Sequence, residues 1–138
     1  MRIRIGKVTT LYPSEGKVRV LYEDISETSV KLPLLTFNNE YRMPKIGTTV
    51  VTIHMENSSA GFVLGEYWSG VNKPNETGEK LYRKSIDEAS LKYSNGQLEI
   101  YSPQILLRTP SGTITAEQLI TVLNRLDDIE NRLSGLGV

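Results

Sequence analysis

The fold is decided by residues 44–68, which read PKIGTTVVTIHMENSSAGFVLGEYW. Residues 44–47 have the composition of a turn, and residues 48–55 are rich in the β-branched side chains that favour strands. Residues 56–61 form a polar turn before a second apolar run at residues 62–67. Two apolar runs joined by a short polar turn predict an antiparallel pair of strands.

The residues before this pair continue the β pattern. Ile3 and Ile5 alternate with charged residues, and residues 17–20 do the same, which is the period of a half-buried strand. Residues 13–16, Pro-Ser-Glu-Gly, make a turn between the two runs, so a hairpin is expected there. The alternation continues through residues 30–35. Five or six short strands in about 70 residues predict a small β-barrel or sandwich.

A second zone, residues 75–112, has short strands and few apolar side chains. Residues 89–93 and 98–100 alternate, and Asn95-Gly96 between them is a strong signal for a two-residue hairpin turn. The turn at residues 109–112 closes the zone. Strands this short and thinly apolar do not bury enough surface to be stable alone. They require partners, either the first zone or other copies of the chain.

The third zone, residues 113–138, predicts an amphipathic helix. Thr115 is a good N-cap, and Gln118 completes a capping box. Apolar residues then follow a heptad, and Arg125 at position g faces Glu130 at the next position e, where neighbouring parallel helices pair. The predicted trimer interface consists of Leu119, Leu126 and Leu133 at position a, Val122, Ile129 and Leu136 at position d, with Arg125 and Glu130 beside them.

Two arrangements would cover the apolar stripe of this helix. A single helix docked on its own barrel is favoured by Leu123 at position e, which widens the stripe. A bundle of three or four helices is favoured by leucine at position a with β-branched residues at position d. The sparse middle strands also need identical partners, so one symmetric trimer would satisfy both zones.

Composition excludes several classes of function. Sixteen Lys and Arg balance sixteen Asp and Glu, so neither nucleic acid nor an anionic membrane is a favoured partner. The chain has no cysteine, hence no disulfide or thiolate site. No apolar run is long enough to span a bilayer, and the first residues lack the apolar core of a signal peptide.

No group of residues in the sequence predicts catalysis. His54, the only histidine, lies in a strand without neighbouring metal ligands, and we expect a partly buried residue there, not a ligand or base. The adjacent acids Glu23-Asp24 and Asp127-Asp128 point apart in a strand or helix, so a shared proton or metal is not expected. We therefore predict a protein that is not an enzyme and has no catalytic residue, metal or cofactor.

The quoted residues resemble a known domain. Residues 44–51 (PKIGTTVV), 61–68 (GFVLGEYW) and 69–74 (SGVNKP) resemble the OB-fold domain of phage baseplate assembly protein V. The same domain occurs in cell-puncturing tail spikes and in the spike proteins of type VI secretion. Gly65 followed by the exit Asn72-Lys73-Pro74 is the most telling part of this resemblance, which covers about the first half of the chain.

The resemblance implies a trimer with OB domains around an axis and an intertwined β-prism after them. It divides the chain into an OB-fold domain at residues 1–74, a short β-prism at 75–112 and a three-stranded coiled coil at 113–138. Many relatives end in an iron-binding tip with paired histidines, or carry a lysozyme-like domain. This chain has one histidine and no room for such a domain.

The function implied is that of a structural central spike. It would belong to the tail baseplate of a contractile phage or to a phage-tail-like bacteriocin particle, assembled in the bacterial cytoplasm. Its expected partners are two further copies, the baseplate hub, the tail tube and a separate tip or tape-measure protein, and its target is the bacterial envelope. Neither nucleic acid nor stable membrane insertion is expected.

One other function stays open, because OB folds often bind single-stranded nucleic acid through basic grooves with aromatic residues. Basic residues cluster in the first hairpin, with Tyr12 and Tyr22 nearby. The basic residues are Arg2, Arg4, Lys7, Lys17 and Arg19.

Overall fold

The computed structural model describes residues 1–137, in two compact units that divide between Asn75 and Glu76. Val138, the last residue of the predicted helical zone, lies outside the described residues. The chain is mainly β with one helix near its end, which confirms the predicted class. Each unit is described by itself below.

The first unit is an antiparallel sheet with the strand order β3-β2-β1-β5-β6, and β4 also pairs with β2. These ladders do not close the sheet into a barrel. An isolated parallel bridge joins Leu34, which follows β4, to Val63 of β6. The strands are β1 (Arg2–Tyr12), β2 (Lys17–Tyr22), β3 (Glu27–Thr28), β4 (Leu32–Pro33), β5 (Thr49–His54) and β6 (Gly61–Gly65).

The first predicted hairpin is confirmed. A 3-10 turn at Pro13–Glu15 ends at Gly16, whose φ of 63° is the left-handed conformation that glycine adopts without steric cost. The strand predicted at residues 30–35 is shorter than expected, since only Leu32 and Pro33 pair as β4.

The core of the first unit lies on one face of its sheet. Every buried hydrophobic side chain among the described residues belongs to it. They are Val8, Val18, Val20, Tyr22, Leu32, Val50 and Val63.

The alternation of β1 is present, but its isoleucines lie on the exposed face. Ile3 is 67% exposed and Ile5 is 56% exposed, whereas Gly6 and Val8 are buried. The pairing of β1 with β2 explains why the face that carries Gly6 and Val8 is the buried one. A Cβ atom at Gly6 would lie 2.5 Å from Val20 Cγ1, so this position faces the core at a point where only glycine fits.

The second unit holds a three-stranded sheet of order β7-β8-β9, a hairpin of β10 and β11, and the helix α1. Asn95 and Gly96 join β8 to β9 with φ angles of 52° and 75°, which confirms the predicted two-residue turn. The bounds are β7 (Tyr82–Ile86), β8 (Ala89–Ser94), β9 (Gln97–Tyr101), β10 (Leu106–Thr109), β11 (Gly112–Thr115) and α1 (Ala116–Gly135).

The start of α1 also agrees with the sequence. The Thr115 hydroxyl accepts from the Gln118 backbone N–H at 3.0 Å, and the Gln118 side chain accepts from the Thr115 N–H at 2.9 Å. This reciprocal pair is the predicted capping box.

The strands β7 and β11 were not predicted.

Candidate assembly surfaces and an aromatic groove

The second unit lacks a core of its own. None of residues 76–137 is buried, although this stretch contains five strands and a helix of 20 residues. Regular structure normally derives its stability from burying an apolar face. The apolar faces of the second unit are therefore not covered within the unit itself.

One such face belongs to the three-stranded sheet. The register places Tyr82, Tyr93 and Leu98 in one row, and Leu91 and Ile100 in the next, which Lys84 of β7 joins at the edge of the sheet. Because side chains alternate across a sheet, these residues share one face, while Arg83, Lys92 and Glu99 lie on the other. Leu98 is 66% exposed and Ile100 is 63% exposed. This apolar sheet face was not recognised in the sequence, although the alternation at residues 98–100 pointed to it.

The second apolar face is the helical stripe. All the predicted interface residues lie on α1 except Leu136, which forms its C-cap. Leu126 is 51% exposed and Ile129 is 49% exposed, so the second unit leaves the stripe uncovered. Arg132 pairs with Asp128 at 3.1 Å on the polar side of the same helix. Whether Arg125 and Glu130 pair between copies stays a prediction.

Glu76 joins the start of the second unit to its sheet. Its carboxylate accepts from Lys92 Nζ at 2.9 Å and from Arg83 Nη1 at 2.5 Å. The hydrogen bonds from Lys92 and Arg83 hold the pKa of Glu76 below its usual value. The side chain thereby ties the segment before β7 to both β7 and β8.

The first unit carries an apolar surface on the outer side of its sheet. In the pairing of β1 with β5, Ile3 lies opposite Ile53 and Ile5 opposite Val51. In the pairing of β5 with β6, Ile53 lies opposite Phe62. The inner side of the same strands is the core. Strands that are apolar on both faces are typical of sheets covered on both sides.

The first unit also contains a groove of about 460 Å³, which we call the aromatic groove. The buried Val50 and Val63 lie at its floor. Aromatic residues from two loops line it, namely Phe37 from the segment after β4 and Tyr67 and Trp68 from the segment after β6. Its remaining lining includes the exposed charged residues Glu40, Arg42 and Glu66.

His54 is part of a buried polar cluster. Its Nε2 lies 2.5 Å from the Tyr22 hydroxyl, which lies 2.8 Å from Thr52 Oγ1, and its Nδ1 lies 3.2 Å from the Ser59 carbonyl oxygen. Burial raises the pKa of Tyr22, although the Thr52 hydrogen bond and the charge of Arg4 oppose that rise. Both nitrogens of His54 are thus engaged with neighbours.

The adjacent acids Glu23 and Asp24 contact separate basic residues. Lys7 Nζ pairs with Glu23 and Arg4 Nη2 pairs with Asp24, each at 2.9 Å. Within residues 1–137 no three His, Asp or Glu side chains come together as a metal site would require. Nor is the described helix long and apolar enough to cross a membrane.

Comparison with known proteins adds one distant likeness. No protein-family model matches the chain. The chain is similar to the DNA-directed RNA polymerase subunit beta' of Brochothrix thermosphacta, at 33% identity over 99 residues. The alignment spans 67% of this chain but only 9% of that subunit. The likeness therefore concerns a small segment of a much larger protein.

Proposed function

We propose that the chain is a non-enzymatic structural protein that assembles as a homotrimer and serves as the central spike of a contractile tail or phage-tail-like particle. The observation that carries this proposal is the second unit, which forms regular structure without burying a residue between 76 and 137. Three copies would turn the sheet faces and helical stripes toward a common axis. A short β-prism followed by a three-stranded coiled coil would result.

The topology of the first unit supports an OB fold. An OB barrel is a five-stranded, partly open Greek-key barrel. The strand order β3-β2-β1-β5-β6, with the parallel bridge from Leu34 to Val63, suits such a barrel. The backbone N–H of Leu35 also donates to the Val63 carbonyl at 3.3 Å. An OB domain before a trimeric stalk agrees with the resemblance to baseplate assembly protein V.

The apolar surface on the outer side of the first unit's sheet is the surface that we expect to bind the hub of the baseplate. In this mechanism the trimer lies on the tail axis beneath the tube, and sheath contraction drives it into the bacterial envelope. A stiff, interlocked trimer transmits that work, so no active site is required.

The absolute mass in solution tests the proposal. Multi-angle light scattering should give three chains of 15.5 kDa, about 46 kDa. Leu126→Asp or Ile129→Asp should split or weaken the trimer, because it would bury unpaired charges at the helical interface. Asn131→Asp is the matched control, since it adds the same charge on the polar side of the helix. A monomeric wild-type chain would contradict the proposal, and an unchanged Leu126→Asp trimer would contradict the helical clamp.

A competing function is binding of single-stranded nucleic acid. The basic first hairpin and the likeness to an RNA polymerase subunit favour it. The ion pairs of Arg4 with Asp24, Lys7 with Glu23 and Lys31 with Glu15 oppose it, because they neutralise basic residues near the hairpin. Tight binding to an oligonucleotide that weakens with salt would favour this function over the spike.

A further inference from the structure

We propose that Asn95 is a site of spontaneous deamidation, and that its isoaspartate product loosens the turn between β8 and β9. This inference goes beyond the spike function and holds for a single chain as well as for an assembly. It is based on the residue that follows Asn95, on the free groups of the turn and on the sparse packing of the second unit.

Deamidation is an internal reaction of an asparagine, one of the thermolabile side chains, with the next peptide group. The backbone nitrogen of Gly96 would lose its proton and attack Cγ of Asn95. A C–N bond forms, and the side-chain amide group takes up the proton and leaves as ammonia. Water then opens the resulting succinimide ring. Opening at the backbone carbonyl gives isoaspartate, and opening at the side-chain carbonyl gives aspartate, so no enzyme or cofactor is required.

The residue after an asparagine controls this reaction, because its side chain crowds the attacking nitrogen. Among the asparagines of the chain, only Asn95 is followed by glycine. Glycine has no Cβ atom, and a Cβ atom built at Gly96 would meet nothing within 4 Å, so the approach to its nitrogen is open. Asn57 has nearly the same left-handed conformation, with a φ of 53° against 52° for Asn95, but Ser58 follows it.

The two reacting groups of the turn are not engaged elsewhere. The ladder between β8 and β9 ends at the pair of Ser94 and Gln97, so the turn residues lie beyond it. Within residues 1–137 neither the Asn95 side chain nor the Gly96 N–H forms a hydrogen bond. Both residues are exposed. The nitrogen can therefore lose its proton to solvent hydroxide, and water can reach the ring.

The packing around the turn also favours the reaction. Ring closure requires rotation about the Cα–C bond of Asn95, so the turn must open. Local opening is easy where few apolar contacts are buried. None of residues 76–137 is buried, so little packing holds this hairpin closed. Asn57 instead lies between β5 and β6 of the first unit, and both of these strands carry buried residues.

The isoaspartate product changes the turn in two ways. It inserts one more carbon into the backbone, and it replaces a neutral amide with a carboxylate. A two-residue turn fixes the register of the strands that it joins, and the pairs next to it are Ser94 with Gln97 and Tyr93 with Leu98. Among the described strands, β9 pairs only with β8. A longer turn therefore weakens the one ladder that holds β9.

Ageing the full chain at mildly alkaline pH and physiological temperature tests the assignment. Trypsin cleaves after Lys92 and Arg108, so residues 93–108 form one peptide in which Asn95 is the only asparagine. We expect this peptide to gain one mass unit and to co-elute mainly with a synthetic isoaspartyl standard. The reaction should become faster as the pH rises. Fragment ions should show no change at Asn57 over the same period.

Variants separate the causes. Gly96→Ala should lose most of the modification, because its methyl group crowds the nitrogen. Ser58→Gly gives Asn57 a following glycine, and this asparagine should then react, but more slowly than Asn95, since the first unit holds its turn closed. Leu126→Asp should be modified at Asn95 as the wild-type chain is, which separates this test from that of the trimer.

Hydrogen exchange measures the effect of the modification. The backbone amides of residues 89–101 should exchange faster in the aged chain, whereas those of residues 49–65 should not change. Asn95→Asp supplies the charge without the extra backbone carbon, so a freshly prepared Asn95→Asp chain should show a smaller increase.

Three results would overturn the proposal. The first is an unmodified 93–108 peptide after the period in which asparagine in a denatured sample of the same chain has reacted. The second is a Gly96→Ala chain that is modified as fast as the wild-type chain. The third is equal exchange of residues 89–101 in the fresh and the fully modified chain, which would show that the turn tolerates isoaspartate.

Discussion

At the scale of single residues, two glycines make room for the buried polar cluster. A Cβ atom at Gly61 would overlap the carbonyl oxygen of Ile53 and lie 3.0 Å from His54 Cα. A Cβ atom at Gly6 would lie 2.9 Å from Tyr22 Cδ1. These contacts involve backbone or packed ring atoms, which cannot move aside as the end of a flexible side chain can. The close approach of β1 to β2 and of β6 to β5 therefore depends on residues without a side chain.

The Gly61→Ala substitution tests this dependence. The added methyl group must displace the backbone of β5, and overpacking of this kind costs about 1–3 kcal/mol in the free energy of unfolding. Urea denaturation followed by Trp68 fluorescence measures that loss. Gly70→Ala is the matched control, because a Cβ atom there meets nothing within 4 Å. Equal stability of the two variants would show that β5 and β6 are less closely paired than described.

At the scale of elements, Glu76 links the segment before β7 to the sheet of the second unit. Its folded pKa is lowered, so its contribution to stability is fully present above the ordinary carboxyl pKa of about 4.3. The contribution is lost as the pH falls through the folded pKa. The thermal midpoint of the second unit should therefore drop on acidification in the wild-type chain.

The Glu76→Gln substitution should remove that part of the pH dependence. It should also lower the midpoint at neutral pH, because the amide replaces a carboxylate between two cations. Circular dichroism melts between pH 7 and about pH 3 provide the measurement. Glu79→Gln, an exposed acid three residues further along, serves as the control. A wild-type pH profile in the Glu76→Gln chain would assign the acid sensitivity to other carboxylates.

The elements that the sequence predicted correctly are those with local signals. The hairpin at Asn95-Gly96 and the capping box at Thr115 and Gln118 involve residues at most four positions apart. Strand β7 was missed because Asp87 and Glu88, which join it to β8, look like an ordinary charged surface. The exposed position of Ile3 was missed for another reason. Alternation shows that a strand has two different faces, but pairing with distant strands decides which face is buried.

The aromatic groove depends even more than the buried face of β1 on pairing between residues that are far apart in the sequence. Its two loops come together through the single bridge between Leu34 and Val63, which are 29 positions apart. Tyr67 and Trp68 already stood out in the sequence, because they belong to the stretch GFVLGEYW that carries the family resemblance. Phe37 carried no signal, because nothing local reveals a left-handed phenylalanine at the edge of a groove.

At the scale of the whole molecule, the two units should differ in what stabilises them. The first unit holds all the buried side chains among residues 1–137, so its stability is expected to be intrinsic. The second unit is expected to gain its stability from association, and association makes thermal stability depend on protein concentration. Heating the full chain should therefore give one transition that is independent of concentration and another that rises with it. Trp68 fluorescence follows the first unit, and helical circular dichroism follows the second.

Raising the chain concentration a hundredfold should shift only the helical transition upward, by several degrees. Mass action on a trimer supplies roughly 2RT ln 100, or about 5 kcal/mol per trimer, between the two concentrations. The Leu126→Asp chain should lose the helical transition and keep that of Trp68, because its first unit is untouched. A helical transition that ignores concentration would mean that α1 finds its cover within a single chain. The amphipathic helix would then be docked on its own barrel, and the spike would lose its physical basis.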